Sequence, residues 1–373
     1  VGASGLRGAA AAGAQTETRS FPHYDHVFTL IEENHGFTDI IGNPEAPTLN
    51  SLAHQYGLAT QYYGVTHPSG PNYVAMLGGG TFGVNSDDPY WNFHVNQPSL
   101  MGQMEAAGRS WKGYLQGLPY PGYRGYCYPV RCLGVPDSDT QYIAKHNGLV
   151  YFHSVNANPA ELAKMQPLGR LGQDLDRNQV PNLSYIVPDE CTDMHGAPPV
   201  CVDSGNPRDL NDNRLVATAD AFVGRTVQRI THAPVLAHGN NAIVIAFDEG
   251  TDNTGCCTAN PGGGRALSIV VTNHGGHGIT DSTPYNHYGL LSSLQHAFGL
   301  GCLAASCNQA AVKPMTPLFA ADPHSPVSVP APVAPAPTTG ATPTYGGPQT
   351  ATGPAAPGPT PGHWQTVPTP NLS

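Results

Sequence analysis

The chain has 373 residues, of which 39% are hydrophobic and 11% charged, with a formal net charge of −10. That apolar content is enough for a sizeable core in one large domain or two ordinary ones, while the acidic balance excludes a protein that holds nucleic acid through a basic face. No run approaches the roughly 18 consecutive apolar residues of a membrane-crossing helix, so no transmembrane segment is expected.

Residues 1–20, "VGASGLRGAAAAGAQTETRS", lack a proper hydrophobic signal region and are expected to be disordered or the remnant of a removed signal. The folded part is expected over residues 21–320. "HVFTLIEEN" (His26–Asn34) is the first strand, "SYIVPDE" (Ser184–Glu190) a later one, "NAIVIAFDEG" (Asn241–Gly250) the clearest, and "ALSIVVTNHGGHG" (Ala266–Gly278) follows it. Near-continuous Val/Ile runs suit strands covered on both faces, as in parallel sheets. Between them, Leu215, Ala219, Phe222, Val223, Val227 and Ile230 share one helical face, as do Leu290, Leu291, Leu294 and Phe298. Alternating strands and helices predict an α/β fold with a mostly parallel central sheet sandwiched by helices. From Ala321 to Ser373 the chain holds 14 of the 37 prolines and a single charged residue, Asp322. Such a segment cannot bury enough apolar surface to offset ordering, so a disordered tail is expected, with a wall-spanning spacer as the alternative.

Eight cysteines fall mostly in close pairs: Cys127 with Cys132, Cys191 with Cys201, Cys302 with Cys307, and adjacent Cys256 and Cys257. None has CxxC spacing or nearby histidines to complete a zinc site, so disulfides and an oxidising, secreted location are expected. Cys256 and Cys257 either bond each other or reach elsewhere.

Chemistry concentrates where strands end. The first strand runs into Glu33-Asn34-His35, the strand at 242–247 into Asp248-Glu249, and the next is followed by His274 and His277. Ligands of open α/β sheets bind beyond the carboxyl ends of strands, and carboxylates with an amide oxygen suit a hard or borderline divalent cation. Against this, a lone acid after a strand is usually a turn former or a helix cap. "THPSGPNY" (Thr66–Tyr73) places Pro71 as the first residue of a helix and Ser69 or Gly70 at its cap. A helix N-terminus is also a ready anion site, and a hydroxyl there beside a metal can attack phosphorus. Ser69 is therefore either an ordinary cap or a cap, ligand and nucleophile at once.

"IEENHGF", "THPSGPNYVAMLGG", "KHNGLVYF", "PDECTDMHG", "AFDEG" and "YNHYGLLSSLQHAFGL" occur in this order. Over residues 24–303 the chain resembles the bacterial phosphoesterase family of secreted acid phosphatases and non-specific phospholipases C, within the alkaline phosphatase superfamily. It looks most similar to the shorter actinobacterial group of secreted acid phosphatases and phosphatidylinositol-3-phosphatases. The resemblance implies an alkaline-phosphatase-like fold and one divalent metal ion, with calcium, magnesium, manganese and zinc all open. Glu33, Asn34, Ser69, Asp248 and Glu249 would hold it, with Ser69 also the nucleophile. Some relatives end that set in two aspartates, so the longer Glu249 side chain leaves open a place behind the metal. Charge balance then calls for donors to the phosphate oxygens: Asn72, Lys145, His146 and Asn147. Asp193 is expected to pair with His195 so that a charged imidazole protonates the leaving alkoxide, and His287 is a further catalytic candidate.

The implied reaction has two steps through a phosphoserine, with an acidic to neutral optimum. The expected function is a secreted phosphomonoesterase acting on phosphorylated small molecules or phospholipid head groups, with no nucleic-acid partner. The C-terminal tail offers association with a cell wall. The alternatives are a phospholipase C-type phosphodiesterase, whose longer relatives carry extra C-terminal β-domains, and a wall-associated binding protein with a degenerate site. "GCCTANPGGGR" (Gly255–Arg265) is either a flap that brings Arg265 to phosphate or a disulfide-tied loop.

Overall fold

The structure is a computed structural model and describes residues 21–129, 140–198, 200–201, 213–275 and 277–320. The expected N-terminal segment, the Pro-rich tail and Cys132 lie outside the described residues. Eleven strands occur among those described: β1 His26–Glu32, β2 Gly57–Tyr63, β3 Trp111–Leu115, β4 Cys127–Tyr128, β5 Tyr142–Ile143, β6 Met165–Pro167, β7 Leu183–Val187, β8 Asn241–Phe247, β9 Arg265–Thr272, β10 Ile279–Asp281 and β11 Tyr285–Asn286. β4 and β5 form a small hairpin. The other nine make one sheet in the order β10-β2-β9-β8-β1-β7-β3-β6, with β11 also on β2.

The five strands β8, β1, β7, β3 and β6 run parallel. Their apolar runs put both faces under helices: all seven residues of β8 and all five of β7 are buried. The helix Asn213–Thr231 presents Leu215, Ala219, Phe222, Val223, Val227 and Ile230 inward, and the helix His287–Phe298 buries Leu290, Leu291, Leu294 and Phe298, both as expected from their periodicity. One hydrophobic cluster runs from Tyr24 to Phe319.

β9 departs from the expected pattern of strand ends. It is antiparallel to both β8 and β2, so its carboxyl end lies at the opposite edge from theirs. His274 therefore bonds to Gly239 O (Nε2···O 2.6 Å), in the turn before β8, and His277 packs on Tyr56, just before β2. Neither histidine joins the acids that follow β1 and β8. The start of β9, Gly264-Arg265, stands at that edge instead.

Disulfides join Cys191 to Cys201, Cys302 to Cys307 and Cys256 to Cys257. No helix among the described residues is long and apolar enough to cross a membrane.

Candidate functional site

β1 and β8 pair up to Glu32 beside Phe247, so Glu33 and Asp248 leave the sheet side by side. Their loops are then stitched together. Asp248 N donates to Glu32 O (3.0 Å), Asn34 N to Asp248 Oδ1 (3.0 Å), Glu249 N to the same Oδ1 (2.7 Å), and Glu33 N to Asp193 O beyond β7 (2.9 Å). Asn34 takes a left-handed φ of 43°, a conformation asparagine tolerates better than most L-residues. Three adjacent strands thus deliver carboxylates to one edge.

The loop after β2 brings Ser69. It is the first residue of the helix Ser69–Gly78, with Pro68 at the cap and Pro71 two positions further in. The expected capping role is absent: the Ser69 hydroxyl donates to Glu33 Oε1 instead. The helix end is closed from outside by Asp87, whose Oδ1 accepts from Gly70 N (2.8 Å). Two devices fix the loop. Asn72 Oδ1 accepts from Val65 N (3.0 Å) and Thr66 N (3.2 Å), while its Nδ2 donates to Thr66 O (2.8 Å) and Glu249 Oε2 (3.1 Å). Asn72 thereby braces the serine loop, with both amide N–H groups engaged. From the other side Gly263 N donates to Gly64 O (2.9 Å), and a Cβ on Gly263 would stand 2.2 Å from Thr66 O, so only glycine permits this approach.

Ser69 is 3% exposed, and Glu33 and Asp248 are fully buried. Glu33 Oε2 and Asp248 Oδ2 are buried without a hydrogen-bond partner, a costly state for carboxylate oxygens. One oxygen of each of these acids is bound by the protein and the other is left over. Burial, reinforced by Glu33 and Glu249, pushes Asp248 well above the usual carboxylate range, and burial lifts Glu249 to about 6. Glu33, Asp248 and Glu249 offer oxygens within 4.8 Å of one another. Crowded, buried, oxygen-only donors of this kind fit a divalent cation. Asn34 adds its half-buried amide to the same turn, and Glu249 is tied back by Asn72 and by His67 Nδ1 (2.9 Å).

Facing this acid corner is a cationic one. Lys145 and His146 lie on a short turn after β5, and both are buried. His146 Nε2 is 3.2 Å from Glu33 Oε1, and its Nδ1 is 2.9 Å from Glu190 Oε1 and 3.2 Å from Asp193 Oδ2. The expected Asp193–His195 pair is rearranged. Asp193 Oδ1 accepts from the backbone N of His195 (2.8 Å), while the imidazole of His195 meets Glu190, with Nδ1 2.8 Å from Oε2. Chain geometry explains the exchange: two residues apart across the left-handed Met194, the Asp193 carboxylate reaches the amide of His195 but turns toward His146. Lys145 Nζ is 3.2 Å from His195 Nε2.

Burial alone would strip the proton from His146, but Glu190 and Glu33 outweigh it and hold the ring well above the usual histidine range. Burial likewise opposes the charge on His195, yet Glu190 raises it to about 10. Burial would raise Glu33 as well, but His195, His146 and Lys145 hold it at about 2. Glu190 is pulled well below its ordinary value by His195 and His146 against burial, and burial lifts Asp193 to about 7.

Two predicted residues stand apart. The amide of Asn147 donates to Tyr142 Oη (2.9 Å) and sits in the core. His287 lies behind Asp248: Nδ1 is 2.8 Å from Tyr62 Oη, Nε2 bonds to Asp248 O, and burial lowers it to about 4. With both ring nitrogens engaged, it supports the backbone of Asp248 from behind. Arg265 stacks on Phe37 at 4.0 Å and donates to Thr60 O (2.8 Å), which fits the disulfide-tied loop over the phosphate-reaching flap. Glu190 and His67 were not foreseen. Glu190 has only its place after β7 in common with the acids after β1 and β8; His67 gives no sign beyond being two residues before Ser69.

Residues 43–301 match the profile of the Phosphoesterase family, and the chain belongs to that family. The matched segment holds Ser69, Lys145, His146, Glu190, His195 and Asp248, while Glu33 and Asn34 lie just before it. The chain is 29% identical over 261 residues to a phosphate-repressible acid phosphatase of Penicillium chrysogenum, covering 68% of this chain and 55% of that protein. It is 27% identical over 290 residues to an acid phosphatase of Aspergillus fumigatus, covering 75% and 56%. It is 27% identical over 284 residues to a phosphatidylinositol-3-phosphatase of Mycobacterium tuberculosis, covering 75% and 79%. The chain thus spans little more than half the length of the two fungal relatives. Among solved structures it is similar to the phosphonate monoester hydrolase of Agrobacterium radiobacter, with a TM-score of 0.48 at 12% identity, covering 80% of this chain and 78% of that one.

Proposed function

We propose that this protein is a secreted, metal-dependent phosphomonoesterase of the acid phosphatase type that works through Ser69. The observation that carries the reading is the contact of the Ser69 hydroxyl with Glu33 at a helix N-terminus, with the spare oxygens of Glu33 and Asp248 buried in the same corner. The names of the acid phosphatase and phosphatidylinositol-3-phosphatase relatives support a phosphate monoester as substrate. The three disulfides among the described residues support an oxidising, extracellular location.

Glu33, Asn34, Asp248 and Glu249, with the Ser69 oxygen, would hold one divalent cation. When bound, such a cation offsets phosphate charge and favours the ionised hydroxyl. The remaining steps belong to side chains. The serine hydroxyl, oriented by its hydrogen bond to Glu33 Oε1, would release its proton to solvent, and its oxygen, as the alkoxide, forms the new O–P bond as the O–P bond to the alcohol breaks, leaving again as the alkoxide in the second step. Lys145 Nζ, buried at the same corner, would face the phosphoryl oxygens. His195, charged through the acidic and neutral range and 17% accessible at its side chain, gives its proton to the departing alkoxide. The neutral imidazole then takes a proton from water as that water displaces Ser69 from phosphorus, which restores both groups. His146, gripped by Glu33, Glu190 and Asp193, keeps the acid and imidazole corners in register.

Hydrolysis of 4-nitrophenyl phosphate by the wild type and by Ser69→Ala, before and after chelation and divalent-cation return, tests the proposal. The expected result is loss of at least about a thousandfold in the variant with unchanged thermal unfolding, and cation-dependent activity in the wild type. A Ser69→Ala protein that keeps its rate refutes it.

A further inference from the structure

Tyr151 is fully buried, and its hydroxyl has no hydrogen-bond partner among the described residues. A buried hydroxyl left idle is costly and calls for an explanation. It lies over the start of the serine helix: a Cβ added to Gly70 would stand 3.0 Å from Tyr151 Oη and 3.2 Å from Asp87 Oδ1. Burial, with Tyr126 and Asp87 close by, holds the proton on Tyr151 against the pull of Lys145, so the group is a donor. Asp87 sits among three donors and uses two. Its Oδ1 accepts from Gly70 N (2.8 Å) and its Oδ2 is 3.6 Å from Lys145 Nζ, while the Tyr151 hydroxyl goes without. Its charge also reaches Glu249, whose carboxyl is raised by burial, Glu33 and Asp87. Asp87 therefore stands between the cationic and acid corners.

We propose that the phosphoryl group of the substrate takes the place held by the Asp87 carboxylate in the free protein, and that Tyr151 then donates its hydroxyl to it. The inference rests on the phosphatase reading of Ser69 and adds to that site a phosphate-binding residue and a place-holding carboxylate. A carboxylate brings two oxygens and one charge; a phosphate monoester brings three terminal oxygens and nearly two charges. Three donors, the Gly70 N–H, Lys145 Nζ and the Tyr151 O–H, match the second ligand and not the first. The exchange needs little movement. Tyr126 Oη donates to Asp87 O and fixes its backbone, while the Asp87 side chain is 30% accessible. Rotation about the side-chain bonds is then enough to carry the carboxylate into solvent, and beside a phosphate it would be repelled. Asp87 thus competes with phosphate, and Tyr151 gains its partner only when phosphate wins.

Titration calorimetry with inorganic phosphate reads this site without turnover, on the full chain as wild type, Asp87→Asn and Tyr151→Phe, supplied in turn with magnesium, calcium, manganese and zinc. Asp87→Asn keeps an acceptor for Gly70 N and removes the charge, so it should bind phosphate about tenfold more tightly. Tyr151→Phe removes only the idle hydroxyl. It should bind phosphate about tenfold more weakly, yet unfold at the wild-type temperature or higher when phosphate is absent. KM for 4-nitrophenyl phosphate should move in the same directions as the phosphate affinities. A carboxylate that merely braces the helix gives weaker or unchanged binding in Asp87→Asn, and either result overturns the inference. So does unchanged or tighter binding in Tyr151→Phe, or a lower unfolding temperature, which would show the hydroxyl already partnered. A change confined to free phosphate, or no phosphate binding by any of the three proteins with any cation, overturns it too. The two readings fail separately. Hydrolysis that depends on Ser69, with phosphate affinities unmoved, sinks the place-holder alone; the expected affinities in a protein whose rate survives Ser69→Ala sink the phosphatase reading alone.

Discussion

Glu190 bridges two imidazoles through its two oxygens, and Glu190→Gln removes the charge while keeping the shape. The carboxylate is fully buried, 2.9 Å from His146 Nδ1 and 2.8 Å from His195 Nδ1. His146 keeps two other carboxylates, Glu33 and Asp193, so His195 bears most of the loss. A folded pKa near 10 against an ordinary 6.5 corresponds to a ceiling of roughly 5 kcal/mol by linkage. Glu33 supplies part of this, so about 2–4 kcal/mol is expected from Glu190, similar to the known cost of breaking a buried pair. Because the folded value is raised, this stability is fully present below about pH 6.5 and is lost as pH climbs toward 10. In chelator-treated protein, thermal unfolding at pH 6 should fall by about 5–10 °C in Glu190→Gln, and the gap to wild type should close progressively up to pH 10. An equal gap at both ends of that range, or none at pH 6, would refute Glu190 as the charge partner of His195.

Three further outcomes follow from the same geometry. Asn72→Ala leaves Val65 N and Thr66 N without their acceptor; it should cost about 2 kcal/mol in denaturant unfolding and lower kcat sharply as the serine loop loosens. His287→Phe should reduce stability by a similar amount, through loss of its bonds to Tyr62 and Asp248, without moving either limb of the pH–rate profile between pH 5 and 9; a displaced limb would restore His287 to the reaction. Gly263→Ala drives a methyl group against Thr66 O, and should depress activity and thermal stability together, by several kcal/mol if the loop cannot shift; a variant with wild-type kinetics would show that this loop does not hold the serine turn.

The core and the acid corner are legible in the sequence because each rests on a local signal. Buried parallel strands such as Asn241–Phe247 need unbroken apolar runs, and an acid placed just after one, as with Glu33 and Asp248, has the sheet edge as its location. Strand direction leaves no such mark. Arg265–Thr272 reads like its neighbours but runs against them, which carries His274 and His277 to the far edge. Partner choice is equally silent: in "PDECTDMHG" both Glu190 and Asp193 stand near His195 in sequence, and it is the backbone turn at Met194, not composition, that gives the imidazole of His195 to Glu190. Asn72 sits at helical spacing from Ser69, and its bracing of the preceding loop through Val65 and Thr66 leaves no mark in the sequence.

All ten residues of the helix that begins at Ser69 are buried. The Ser69 hydroxyl is thus mounted on a core beam, not on a surface loop, and its position is set by packing on every side. Substitutions along that beam will change rate and folding in the same stroke.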